Sequence, residues 1–108
     1  MQALLVYSTF PDEKSAREAA RILLDKHLAA CCTVTPGVRS LYHWQGKVEN
    51  SEEILLTIKS ALSCYPHLED LLQKHHPYEV PEIIAHKIDL LSESYARWIE
   101  SIVSEACP

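Results

Sequence analysis

Apolar positions run almost without interruption from Ala3 to Tyr7 and end at Ser8-Thr9, the pattern of a strand covered on one or both faces. Pro11-Asp12 breaks the run, and from Lys14 to Leu28 the period becomes helical. Ala16, Ala19, Ala20, Leu23 and His27 form one stripe; Lys14, Arg17, Glu18, Arg21 and Asp25 form the opposite, charged one. Asp12 or Ser15 supplies the N-cap, the latter through the capping-box spacing Ser15-x-x-Glu18.

From Cys31 to Ser60 the period drops to two. Pro36-Gly37 interrupts the first arm and predicts a bulge or a kink. Beyond it, Val38, Ser40, Tyr42 and Trp44 share one face, and Arg39, Leu41 and His43 the other. Gln45-Gly46 supplies a tight turn, with glycine free to take positive φ. The return arm passes Val48 and enters the apolar stretch Ile54-Leu55-Leu56-Thr57-Ile58. The two arms span about 13 and 14 residues, against about 5–6 for an ordinary strand. So small a chain cannot cover a hairpin of that length. Its tip is expected to project and to pair with another chain.

Tyr65, Leu68, Leu71, Leu72 and His75 mark a second helix, with Pro66 in its first turn. Pro77 and Pro81 end it and hold Tyr78-Glu79-Val80 extended. Ile83 to Ile88 reads as a fourth strand, and Ser92 opens a last helix with the stripe Tyr95, Trp98, Ile99, Ile102 and Ala106. The order β-α-β-β-α-β plus a helix predicts an α+β fold, a ferredoxin-like sandwich with an additional C-terminal helix. No linker, repeat or composition shift divides residues 1–108, so a single domain is expected.

Composition narrows the function. The chain has 108 residues, 47 % of them hydrophobic and 23 % charged, as in ordinary soluble domains. Its net charge of −5 and the absence of any basic run argue against nucleic acid as a partner. No apolar stretch near the start is long enough to span a bilayer, and no basic leader precedes it, so no membrane role and a cytoplasmic location are expected. In that reducing compartment the four cysteines, Cys31, Cys32, Cys64 and Cys107, are expected as free thiols acting as small apolar filler.

With only Gly37 and Gly46, the chain has no dinucleotide fingerprint, phosphate-binding loop or nucleophile elbow. The segment Ser8-Thr9-Phe10-Pro11-Asp12 also lacks the Gly and Arg of an anion cradle, which argues against acyl-phosphate hydrolysis. No nucleophile–base pair emerges from the spacing, and the chain is read as not an enzyme. Among the six histidines, His27 and His86 lie on apolar faces and read as core or interface, and His67 reads as solvated. His75-His76 is the sharper pair. Imidazole suits copper and zinc, and a chain leaving the helix before Pro77 would let the two rings converge.

These segments resemble the CutA family over almost the whole chain. The likeness runs through Tyr7-Ser8-Thr9-Phe10-Pro11-Asp12, Leu28-Ala29-Ala30-Cys31 and Pro36-Gly37. It is most specific at Tyr42-His43-Trp44-Gln45-Gly46-Lys47-Val48-Glu49 and at His76-Pro77-Tyr78-Glu79-Val80-Pro81-Glu82-Ile83. The resemblance implies a PII-like homotrimer, assembled through the long hairpin around Trp44. It also implies a part in the response to divalent metal ions, with copper bound by a cysteine at the end of the first strand and the two histidines. Those histidines are His75 and His76; the cysteine position is Ser8. Since a hydroxyl is a much poorer copper ligand than a thiolate, the implied site lacks one of its parts. Two other readings stand beside it. One is a PII-like small-ligand sensor using Trp44, Lys47, Tyr78 and Glu82; the other is a structural trimer in which Tyr42 and Trp44 are interface glue.

Overall fold

The computed structural model describes residues 1–108. Strand β1 (Ala3–Phe10) leads into helix α1 (Glu13–Asp25), followed by the hairpin of β2 (Cys31–Trp44) and β3 (Lys47–Ala61). A single 3₁₀ turn (Leu62–Cys64) opens helix α2 (Tyr65–His75); strand β4 (Ile84–Lys87) and helix α3 (Glu93–Val103) complete the chain. The sheet is antiparallel throughout, in the order β2-β3-β1-β4. This is the expected ferredoxin-like sandwich with an extra C-terminal helix.

Alternation along the strands sorts residues into two layers. Leu4, Val6, Ser8 and Phe10 of β1, with Leu56, Ile58 and Ser60 of β3, are buried on the face that carries α1, whose Ala16, Ala19, Ala20 and Leu23 fill the same core. Leu68 and Leu72 of α2 join that core. Helix α3 crosses the opposite face, packing on β3 and setting Tyr95 beside Cys31. Beyond α3, Tyr7, Leu55 and Thr57 stay half-buried and Ile84 exposed. Ile99 and Val103 of α3 are buried, whereas Tyr95 and Trp98 of the same expected stripe face outward.

The helix ends follow local chemistry. Asp12 caps α1 by accepting the Ser15 backbone N–H at 2.7 Å, so the Ser15–Glu18 box is not used. The helix stops at Asp25 and does not run to Leu28. His27, at φ +57°, turns the chain through the left-handed region. Its N–H donates to the Leu24 carbonyl and that of Leu28 to the Leu23 carbonyl, a Schellman closure with a histidine where glycine is usual. Ser92 caps α3 through the Tyr95 N–H.

The hairpin arms are 14 and 15 residues long and lie along the molecule's 44 Å dimension. Gln45 and Gly46, at φ +49° and +78°, form the tight turn. Between Thr35 and Val38 the register gains one residue on β2, so the interruption at Pro36-Gly37 is a bulge, one of the two forms expected there. One extra residue reverses the facing of everything beyond it. Val38, Ser40, Tyr42 and Trp44 therefore share a face with Glu53 and, across β3, with Thr9 of β1.

Two of the four cysteines are not free, contrary to expectation. Cys64 and Cys107 form a disulfide, with Cα atoms 5.1 Å apart. Packing of α3 returns the chain's end to the start of α2, a tertiary relation that a separation of 43 residues does not reveal. Cys31 and Cys32 are free. Burial first, and the neighbouring Cys31 second, push the Cys32 thiol up to about 12, so it remains protonated filler. No helix is long and apolar enough to cross a membrane.

Candidate functional site

The segment after α2 carries most of the polar organisation. His76 leaves the helix with extended backbone (φ −84°, ψ 136°), the departure that Pro77 predicts. Its ring turns inward and stacks on Phe10 at 4.1 Å between centroids. Nδ1 accepts the Tyr78 backbone N–H at 3.1 Å, which leaves the proton on Nε2, and Nε2–H donates to the Thr9 carbonyl oxygen at 2.9 Å. The ring is thus a neutral fastener between β1 and the 76–82 segment. Burial lowers its pKa, opposed by the Thr9 hydrogen bond and the Glu53 carboxylate.

His75 is placed differently. It is the last residue of α2, exposed, at the rim of a shallow depression formed by Ala19, Ile22, Leu23 and Leu71. Ser8, the third implied position, is fully buried and its Oγ has no hydrogen-bond partner. The structure therefore sets the three positions to three different tasks. Both nitrogens of His76 are engaged, and nowhere do three or more His, Cys, Asp or Glu side chains gather as a metal would need. As arranged, Ser8, His75 and His76 do not fit a copper ion.

His76 also sets the position of Tyr78. The segment carries Tyr78 past the end of β1 to the opposite face, where its hydroxyl donates to Glu53 Oε2 at 2.5 Å. Burial, then Glu53, push the Tyr78 hydroxyl pKa upward, so it stays a donor. Glu53 and Tyr78 form the floor of an open groove of about 760 Å³, walled by Tyr42 and Trp44 on one side and by Glu79 to Glu82 on the other. Of the residues named for a small-ligand reading, Trp44, Tyr78 and Glu82 line this groove and Lys47 does not. Glu53 escaped the sequence reading. Its signal was a carboxylate abutting the apolar run Ile54–Ile58, on the alternate positions that the bulge aligns with Tyr42 and Trp44.

Sheet order, helix placement and the projecting hairpin define a ferredoxin-like α+β protein of the PII-like class. The family model for the CutA1 divalent ion tolerance protein matches residues 4–102. Human protein CutA is 40 % identical over 96 residues, covering 89 % of this chain and 54 % of the human one. The chain thus spans about half the length of the animal relatives it matches. The divalent-cation tolerance protein CutA of Salmonella newport is 37 % identical over 100 residues, covering 93 % of this chain and 87 % of that one. Among solved structures, CutA of Xylella fastidiosa superposes with a TM-score of 0.92 at 38 % identity, covering 95 % of this chain and 99 % of that one. A protein from Archaeoglobus fulgidus described as a periplasmic divalent cation tolerance protein gives 0.90 at 30 % identity, covering 94 % and 98 %. The chain belongs to the CutA1 family of divalent ion tolerance proteins.

Proposed function

We propose that this chain acts without catalysis, as a homotrimer, in the response to divalent metal ions. The hairpin carries the assembly part of that reading. Its outer half has no cover from its own chain, and Leu41, Tyr42, Trp44 and Val48 expose apolar surface there. The outward edges of β2 and β4 have no strand beside them. Open edges and an apolar tip on one small domain are the features that a closed ring of copies would bury. Light scattering on the purified chain tests this: a mass of three chains supports the reading, and a monomer at micromolar concentration removes it.

The metal part rests on the family. Copper binding through His75 and His76 would require His76 to release Thr9 or Tyr78, so His75 is the one ring of the pair free to bind as folded. Titration with Cu(II) of the wild type and of a His75→Ala/His76→Ala variant decides whether copper uses the pair. Equal stoichiometry and affinity in both remove it. The reading places the assembly in the cytoplasm.

A further inference from the structure

Cys31 opens β2 directly opposite Lys59 of β3, at the inner end of the hairpin and away from its apolar tip. Its half-buried side chain lies on the sheet face that α3 crosses. There the Lys59 ammonium donates to its sulfur at 3.9 Å, and the Tyr95 hydroxyl donates to it from α3. Thr33 holds the same ammonium by accepting a second hydrogen bond from Nζ. A thiol beside a lysine on the adjacent strand is ordinarily a packing contact. Here no carboxylate draws the amine away, since the molecule's ion pairs join Arg21 to Asp25, Arg39 to Glu52 and Arg97 to Glu93. A partly exposed sulfur facing a cation and a phenol has the surroundings of a reactive cysteine.

The rest of the chain leaves Cys31 no thiol partner. Cys32 points to the opposite face of the strand, packed against the core and protonated. Cys64 and Cys107 are joined to each other. Burial raises the Tyr95 hydroxyl above its ordinary value, so it stays a donor, and the nucleophile beside an oxidised Cys31 is the Lys59 amine. We propose that Cys31 and Lys59 form a reversible oxidative cross-link, a sulfenamide between Sγ and Nζ, with hydrogen peroxide as the oxidant. In the first step the Cys31 thiolate attacks one peroxide oxygen and the O–O bond breaks. Sulfur is oxidised to the sulfenic acid, and the departing hydroxide takes up the thiol's proton and leaves as water. In the second step the ammonium gives one proton to solvent and the amine attacks the sulfur. The S–N bond forms, the S–O bond breaks, and the departing hydroxide takes the amine's next proton, leaving as a second water. The lysine's flexible stem lets Nζ close on Sγ with no movement of the strands. The bond ties β2 to β3 where the hairpin begins, and it stops oxidation of the sulfur short of the irreversible sulfinic acid. This inference is independent of both the trimer and the metal reading, since both reacting groups belong to one chain and lie apart from the hairpin tip.

Peptide mass mapping tests it on the purified protein in its native assembly, oxidised with a slight excess of hydrogen peroxide and digested without reductant. The expected product joins the peptides that carry Cys31 and Lys59, lighter than their sum by two hydrogens, and trypsin no longer cuts after Lys59. Dithiothreitol should separate the two and restore the cut, because a thiol attacks the sulfur and releases the amine. Lys59→Arg keeps the charge and the donors but loses the nucleophilic amine. Its cross-link should be absent, and its Cys31 should proceed to the sulfinic acid. Dimedone present during oxidation of the wild type should replace the cross-link with an adduct on Cys31, a test that stands even where Lys59→Arg fails to fold. A wild-type Cys31 that stays unmodified, or that is found only as its sulfenic or sulfinic acid, overturns the proposal. So does a disulfide from Cys31 to a second copy, or a cross-link that joins Cys31 to a residue other than Lys59.

Discussion

His76 donates from Nε2 to the Thr9 carbonyl oxygen at 2.9 Å, tying the end of β1 to the segment that follows α2. The same ring accepts the Tyr78 N–H, so protonating Nδ1 breaks the second bond and places a charge against Phe10. Burial sets the direction of the shift, downward from an ordinary value of 6.5. Above that pH the ring is neutral in both folded and unfolded chains, and its contribution is intact. Between 6.5 and the lower folded value the unfolded chain takes up a proton that the folded one refuses, so stability falls as pH falls. Urea midpoints of the wild type should therefore decline from pH 7.5 towards pH 5, by at most about 1.4 kcal/mol per pH unit from this ring. His76→Phe should lower stability at neutral pH by about 2 kcal/mol, leaving two backbone groups unpaired, and should flatten the slope. A variant with the wild-type slope would show that another group titrates.

Ser8 occupies a fully buried position on β1, with no acceptor or donor for its hydroxyl. A buried hydroxyl without a partner is a net cost, and deleting it relieves that cost at a loss of little packing. Ser8→Ala should stabilise the protein by about 1 kcal/mol, or about 4 °C in Tm. A melting temperature below that of the wild type would mean that the hydroxyl is satisfied, by a water enclosed in the core.

The fold is legible in the sequence where one local rule governs each element. Uninterrupted apolar runs marked β1 and β3, helical stripes marked α1 and α3, and Pro36-Gly37 marked the bulge that turns Tyr42 and Trp44 to one face. The helical spacing overruns the end of α1 because His27 continues the apolar stripe and yet adopts φ +57°, a conformation its type does not announce. The candidate site was legible in part. The motifs that carry Trp44, Tyr78 and Glu82 were visible, but their meeting with Glu53 depends on the register of β3 against both neighbours. The His75-His76 pair read as a unit because the residues are adjacent. One backbone turn at His76 separates their rings into core and solvent, a difference that composition does not encode.

Trp44 sits at the hairpin tip, 39 % exposed, next to Tyr42 at the same exposure. Large aromatics in such positions dominate the energy of interfaces. Trp44→Ala should leave the fold of the single chain intact, because Trp44 lies outside the buried core. It should weaken self-association by about 2 kcal/mol or more, a dissociation constant raised roughly 30-fold. Sedimentation velocity across a dilution series reads this directly. An unchanged mass distribution would deny the tip a part in assembly.

The Cys64–Cys107 bond closes a loop across 43 residues and anchors the end of α3, where Ser63 Oγ also donates to the Cys107 carbonyl oxygen at 3.0 Å. Chain-entropy arguments put the effect of closing such a loop at about 4 kcal/mol, with measured values of about 2–4 kcal/mol. Cys107→Ser should lower unfolding stability by that range, and adding dithiothreitol to the wild type should produce the same loss. Cys64→Ser/Cys107→Ser should then be insensitive to the reductant. The bond also bears on location, since cytosolic thiols are ordinarily held reduced and disulfides persist in oxidising compartments. Alkylation at the moment of lysis distinguishes the two. Labelling of all four cysteines would place the working protein in a reducing compartment, its C-terminal helix held without the staple by the packing of Ile99 and Val103 and by hydrogen bonds from Ser63 and His27. Labelling of Cys31 alone or of Cys31 and Cys32, with Cys64 and Cys107 protected, would show the staple closed in the cell and count against the cytoplasmic reading.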